Sequence, residues 1–145
     1  MPERDPITTT NLDRYGNDAL SWSRAYDQLT AGVPGPETLF ILSTTRPDGR
    51  PHATGIGALW YDGDLYFTSH PTTRKARNLA ENAAATITVR VKGIDLVLEG
   101  DARRTTDPTH LEAVAALFRE GGWPAQVAGV ATEKPDGATR WRFER

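Results

Sequence analysis

Alternation of apolar and polar residues in short runs, separated by turn signals, is the main pattern in the middle of the chain. Within Ala85–Val91 the apolar side chains alternate with polar ones, as expected for a strand with one buried face. Ile94–Arg104 follows after a Lys-Gly turn, so the two runs predict a long hairpin. Other runs bounded by turn residues predict further strands over Thr38–Thr45, Pro51–Trp60, Leu65–Ser69 and Thr139–Phe143.

Three segments have the pattern of a helix instead. Asn17–Gly32 carries one apolar stripe and begins with a residue suited to capping. Thr73–Asn82 predicts a short helix between two strands. Asp107–Gly121 begins with a capping residue followed by proline and ends at glycine, which is the expected order of helix boundaries. The stripe of the first helix consists of Ala19, Trp22, Tyr26 and Leu29.

Together these elements predict a mainly β, α+β fold: a small barrel of about six antiparallel strands with two to three helices. Residues 1–16 are polar and unpatterned, and we expect them to form a loose N-terminal arm. Residues 17–145 contain no repeat or linker and are expected to form a single domain. Because exposed faces of such barrels commonly pair with a second copy, we also expect a homodimer.

The amino-acid composition argues against several classes of binding partner and site. The net charge of −2, from 17 basic and 19 acidic side chains, argues against a broad nucleic-acid surface. The chain has no cysteine, which excludes disulfides and thiolate metal sites. The polar N-terminal segment does not resemble a signal peptide, and no apolar run is long enough for a membrane span. We therefore expect a cytoplasmic protein without a membrane span.

The segment TSHPTTRKARNLAEN, residues 68–82, carries the clearest chemical signal. Hydroxyl side chains at a strand end are followed by Arg74, Lys75 and Arg77 in the first turn of a helix, where the helix dipole disfavours cations. A bound phosphate or carboxylate reverses that effect, because free N–H groups and cations then converge on it. The alternative is an ordinary capped surface helix whose cations are solvated or paired with Glu81 or Asp62.

Other candidate sites are weaker. The three histidines (His52, His70 and His110) lack metal-ligand spacing, so no metal site is predicted. No nucleophile motif or acid–base pair is present, and no catalytic residue is assigned. Gly55-Ile56-Gly57 indicates either a bulge or a place where the backbone approaches a flat group.

The run DGRPHATGIGALWYDGDLYFTSHPTTRKARNLAEN resembles the pyridoxamine 5′-phosphate oxidase-like superfamily of flavin and deazaflavin split barrels. KARNL and the following LVLEGDARRTTD are most similar to actinobacterial members, which use the deazaflavin coenzyme F420 or FMN. The resemblance covers about half of the chain, from Thr38 to Asp107, and weakly includes GATRWRF. It implies a homodimeric oxidoreductase that transfers hydride between F420 or FMN and a small organic substrate.

The resemblance also implies the cofactor-binding residues. The residues expected around the phosphate are Thr68, Ser69, Thr73, Arg74, Lys75 and Asn78, with Arg77 near the acidic tail of F420. The strand segment expected beside the ring is Thr54, Gly55, Ile56 and Gly57.

Two further expectations follow from this resemblance. The ending RWRFER lacks the basic pattern with which true pyridoxamine phosphate oxidases hold their substrate, so a different substrate is expected. F420 is preferred slightly over FMN. The alternative is a non-enzymatic haem or tetrapyrrole binder on the same scaffold, with His70 over the pocket.

Overall fold

The fold is described from a computed structural model of the chain. It describes residues 10–11, 15–16, 18, 21–30, 38–61, 64–91, 94–121 and 139–144. Three helices and seven strands lie in these ranges: α1 (Trp22–Thr30), β1 (Phe40–Thr45), β2 (Pro51–Ile56), β3 (Ala58–Tyr61), β4 (Asp64–Ser69), α2 (Arg74–Glu81), β5 (Ala84–Val91), β6 (Ile94–Arg104), α3 (Pro108–Glu120) and β7 (Thr139–Glu144).

All seven strands belong to one antiparallel sheet with the order β2-β1-β5-β6-β7-β4-β3. The two end strands, β2 and β3, are consecutive in sequence and are separated only by Gly57. The chain therefore passes directly from one end of the sheet order to the other, which brings the sheet round into a barrel. This arrangement confirms the predicted α+β antiparallel barrel.

The predicted strand Pro51–Trp60 differs from the structure in one respect. It is two strands, because the residues before Gly57 pair with β1 and the residues after it pair with β4. The described residues therefore contain seven strands, one more than the predicted number of about six. The remaining predicted strands and helices lie within a few residues of the observed ones, except that the first helix begins at Trp22 rather than near Asn17. The predicted cap at Asn17 and most of the predicted arm lie outside the described residues.

The turn between β1 and β2 sets the position of the second strand. Gly49 has a φ of +87°, a conformation that glycine adopts without a Cβ clash. Its N–H donates to the carbonyl of Arg46 at 2.9 Å, and the N–H of Arg50 donates to the Asp48 carboxylate at 3.0 Å. The turn thereby fixes a register in which Thr44 lies opposite His52.

The main core lies inside the barrel. Alternate residues of β1 are buried, and they share one core cluster with buried residues of the adjacent strand β5 and of β4. Helix α1 contributes Leu29 to this core, and α2 contributes Ala76 and Leu79. The fully buried side chains of the barrel interior include Leu42, Leu65, Phe67 and Ile87.

Helix α3 covers the opposite face of β3 and β4. Its N-cap, Asp107, accepts a hydrogen bond from the N–H of Thr109 at 2.9 Å. Val114 and Phe118 pack there against Leu59 and Tyr66, forming a second, smaller core. No helix in the described part of the chain is long and apolar enough to cross a membrane.

We expect Phe118→Ala to lower the free energy of unfolding by about 3–5 kcal/mol, because Phe118 is 3% exposed in this second core. Glu120→Ala, at an exposed position of the same helix, is expected to change it by less than about 0.5 kcal/mol. Urea denaturation followed by circular dichroism measures both. Equal effects of the two substitutions would contradict the docking of α3.

Candidate functional site

Hydroxyl groups build the turn that leads from β4 into α2. Thr73 is the N-cap of α2, and its Oγ1 accepts a hydrogen bond from the N–H of Ala76 at 3.3 Å. The same Oγ1 donates to the carbonyl of His70 at 2.8 Å and lies 2.7 Å from Oγ of Ser69. Ser69 is 3% exposed. The two hydroxyls are thus bonded to the turn itself and fix the direction in which α2 begins.

Two half-buried cations follow directly in the first turn of α2. Neither Arg74 nor Lys75 has a carboxylate partner among the described residues, and the first turn contains no acidic side chain. Burial lowers the pKa of Lys75, since a charged ammonium loses hydration there. The predicted alternative pairing with Glu81 does not occur in the structure, and Asp62 lies outside the described residues. A half-buried positive charge without a carboxylate is stabilised by an anionic ligand.

Asn78 ties this helix to the barrel. Its side chain is 1% exposed, and Nδ2 donates to Oγ1 of Thr44 on β1 at 3.0 Å. Its Oδ1 accepts a hydrogen bond from Arg74 at 3.4 Å. Asn78 therefore joins α2 to β1 and orients the side chain of Arg74.

Strand β2 lies beside α2 and contains the residues predicted to face a ring. In the sheet order it pairs only with β1, so the backbone groups on its other side have no ladder partner among the described strands. Thr54 and Ile56 lie opposite the buried residues of β1, whereas Gly55 is exposed on the outer face. Helix α2 packs against both strands. The end strand and the cationic helix start therefore adjoin each other.

The local backbone conformation does not require glycine at position 55. Its φ is not in the left-handed region, and an added Cβ would meet only Cδ1 of the exposed Leu39, at 3.2 Å. An alanine would therefore need only a small movement of a flexible side-chain end. The absence of a side chain at this position favours close approach by another group.

His52 is a residue of this region that the sequence did not single out. It lies opposite Thr44, on the same face of β2 as Thr54, and its Nδ1 is buried without a hydrogen-bond partner. Burial lowers the pKa of His52 below its usual value of about 6.5, and the charges of Arg46, Lys75 and Arg74 lower it further. The ring thus lies among three cations, with one nitrogen unbonded.

Two of the predicted site residues lie elsewhere. Thr68 is adjacent to the inward-facing Ser69 on β4, so its side chain projects to the opposite face of the strand. Arg77 is exposed on another flank of α2, where it lines a cavity of about 340 Å³ with Arg103 and Arg104. The residues that line this cavity also include Ala76, Ala80, Ala83 and Ala102.

The ring of His70 is held by the residue two positions later. Its Nδ1 accepts a hydrogen bond from the backbone N–H of Thr72 at 3.2 Å and lies 2.7 Å from the hydroxyl of that residue. A neutral ring whose Nδ1 accepts a hydrogen bond carries its proton on Nε2. Nε2 then has no lone pair to offer a metal ion.

Comparisons with known proteins agree with this architecture. A family model described as pyridoxamine 5′-phosphate oxidase matches residues 27–141. A search of curated proteins found no match.

Solved structures share the fold at low sequence identity. An F420 reductase is 22% identical with a TM-score of 0.57, over 79% of this chain and 90% of that one. A conserved hypothetical protein from Mycobacterium tuberculosis is 18% identical with a TM-score of 0.69, over 91% of this chain and 84% of that one. A heme binding protein from Mycobacterium smegmatis is 18% identical with a TM-score of 0.64, over 88% of this chain and 52% of that one.

We expect Asn78→Ala to lower the free energy of unfolding by about 1–3 kcal/mol, because it removes a buried hydrogen bond and leaves Thr44 without its partner. In a double-mutant cycle with Thr44→Val, the two losses are expected to be non-additive by about 1 kcal/mol. Thermal unfolding measures each variant, with the exposed Glu81→Ala as control. Strict additivity would show that the hydrogen bond does not couple α2 to β1.

Proposed function

The chain belongs to the pyridoxamine 5′-phosphate oxidase family, and from this we propose that it is an oxidoreductase that binds a phosphorylated deazaflavin or flavin between α2 and β2. Coenzyme F420 is preferred over FMN, and the reaction is hydride transfer to or from a small organic substrate. We propose a substrate other than pyridoxamine phosphate, because the segment RWRFER does not match the basic pattern with which true pyridoxamine phosphate oxidases hold their substrate.

The observation that carries this proposal is the pair of half-buried cations at the start of α2. Arg74 is oriented by the buried Asn78, and Lys75 has no carboxylate partner among the described residues. A phosphate placed at this helix start would receive two positive charges and the free N–H groups of the first turn. Thr73 and Ser69 support the turn that aims those N–H groups.

The end strand β2 supplies the surface for the ring. Backbone groups along Thr54–Gly57 that have no ladder partner among the described strands can bond ring nitrogens and oxygens, and Gly55 offers no side chain to obstruct a flat group. When bound, the cofactor supplies the hydride chemistry, while this chain's residues bind and orient it. We therefore assign no side chain a role as catalytic acid or base.

The preference for F420 rests on the cavity at the flank of α2 that carries Arg77. F420 carries an acidic tail, which needs cations beyond those around the phosphate. Arg77, Arg103 and Arg104 line the cavity on that flank, and Arg103 would exchange its exposed partner Asp101 for the tail. FMN has no tail and would leave this cavity unused.

A homodimer is part of the same proposal. The outer face of the sheet carries a row that runs from Gly55 through Ile41 and Thr88 to Val97. Val97 is 41% exposed, and Leu39 beside Gly55 is 64% exposed. Large exposed apolar side chains on a sheet face are typical of a contact surface. A second copy placed here would cover the strand that carries the proposed ring site.

The second candidate function is a haem or tetrapyrrole binder on the same scaffold. Its support is the fold shared with the heme binding protein. The tautomer of His70 argues against that residue as an iron ligand, since its Nδ1 accepts a hydrogen bond from Thr72. A Soret-type absorption band in the purified protein would favour this candidate over the oxidoreductase.

We expect Lys75→Ala to weaken cofactor binding by about 1.5–3 kcal/mol, because it removes a charge-assisted bond to the phosphate. Fluorescence titration with FMN and, separately, with coenzyme F420 measures the dissociation constants. Arg119→Ala is the matched control, because Arg119 pairs with Glu112 on α3, away from α2. An unchanged dissociation constant in the Lys75 variant would contradict the phosphate site.

We expect Val97→Glu to convert a dimer into a monomer, because it places a charge within an apolar contact surface. Sedimentation velocity measures the mass of wild type and variant. Glu120→Gln is the control, since Glu120 is exposed on α3, outside this row of the sheet. A wild-type monomer, or a dimer that survives the substitution, would contradict this surface.

A further inference from the structure

We propose that His52 is a further binding residue of the anion site, and that its ring takes up a proton when the anion binds beside Arg74 and Lys75. This inference rests on the proposed phosphate site and adds to it a residue and a pH dependence. It assigns a role to the one histidine that the strand pattern places on the inner face of β2.

The position of His52 follows from two connected contacts. The β1–β2 register places His52 opposite Thr44, and the Thr44 hydroxyl accepts the side-chain hydrogen bond of Asn78 from α2. Asn78 in turn accepts from Arg74. A short chain of contacts therefore links the neighbour of His52 to the cation at the helix start.

The unbonded nitrogen of His52 points to a missing partner. Nδ1 is buried and has no hydrogen-bond partner, an arrangement that costs free energy unless a ligand or water completes it. The charged groups that act on the ring are Arg46 from the β1–β2 turn and Lys75 and Arg74 from α2, all three positive. Because three positive charges surround the ring, an anion is the partner that would favour a proton on Nδ1.

The same geometry gives the direction of the pH effect. Without an anion, the pKa of His52 in the folded protein lies below its value of about 6.5 in the unfolded chain. As pH falls through that value, the unfolded chain binds a proton that the folded protein does not bind, and stability decreases. A bound anion raises the pKa of the ring, so the affinity for the anion increases as pH falls.

The direct test is NMR titration of the three histidine rings, with the His52 signal identified from a His52→Gln variant. The pKa of His52 is measured in the free protein, with FMN or coenzyme F420, and with sulfate, which stays fully ionised between about pH 5 and pH 8. We expect bound anion to raise it by about one unit. The signal of His110, whose ring packs against Tyr61 and Tyr66, serves as the internal reference.

A second measurement compares the dissociation constants of wild type and His52→Gln for the same cofactor between pH 8 and pH 5.5. The phosphate of the ligand titrates equally in both experiments. The ratio of the two dissociation constants therefore reports the contribution of His52 alone. We expect a ratio near one at pH 8 and a loss in the variant that grows as pH falls to 5.5, towards the tenfold limit that a shift of one pKa unit sets.

The outcomes separate this inference from the proposed function. Cofactor binding that depends on Lys75 but leaves the pKa of His52 and the affinity ratio unchanged would overturn the role of His52 alone. A sulfate-induced shift at His52 without binding of either cofactor would overturn the proposed function and keep the anion site with its histidine. A His52 ring that responds to neither sulfate nor cofactor would overturn the inference.

Discussion

The hydrogen bond between Asn78 and Thr44 joins two parts of the chain that are 34 residues apart, and the geometry of the candidate site depends on it. Helix α2 has only eight residues, too few to be stable in isolation, so its position must come from tertiary contacts. Ala76 and Leu79 supply apolar contact with the core, but such contact does not fix rotation about the helix axis. A directional bond from a buried amide does, and it turns Arg74 and Lys75 towards β2.

The start of α2 combines features that lower the free energy of unfolding when no ligand is bound. Cations occupy the turn that the helix dipole disfavours, and burial removes part of their hydration. His52 adds a buried nitrogen without a partner. The core and the caps supply the stability that these features remove. A single anionic ligand would reverse the sign of all of them, which makes this region the best candidate for binding.

Much of the fold could be predicted from the sequence, since period-two alternation and turn residues mark the strands. Ile94–Arg104 agrees with the observed strand, and the cap at Asp107 is confirmed. The break at Gly57 could not be predicted, because it depends on which strands pair on either side. The cations of α2 were evident from their position in the sequence, whereas the proximity of His52 was not. That proximity depends on how α2 lies over β2, which local patterns do not encode.

The place of β7 in the sheet affects how the chain reaches this fold during synthesis. β7 follows all the other strands in sequence, yet it lies between β6 and β4. Until β7 leaves the ribosome, no strand joins the β2-β1-β5-β6 part of the sheet to the β3–β4 hairpin. At about 5–20 residues per second, the interval between completion of β6 and of β7 is roughly 2–8 s. During that time the edges of β6 and β4 are exposed to pairing with other nascent chains, so this interval is when a chaperone would protect the chain most.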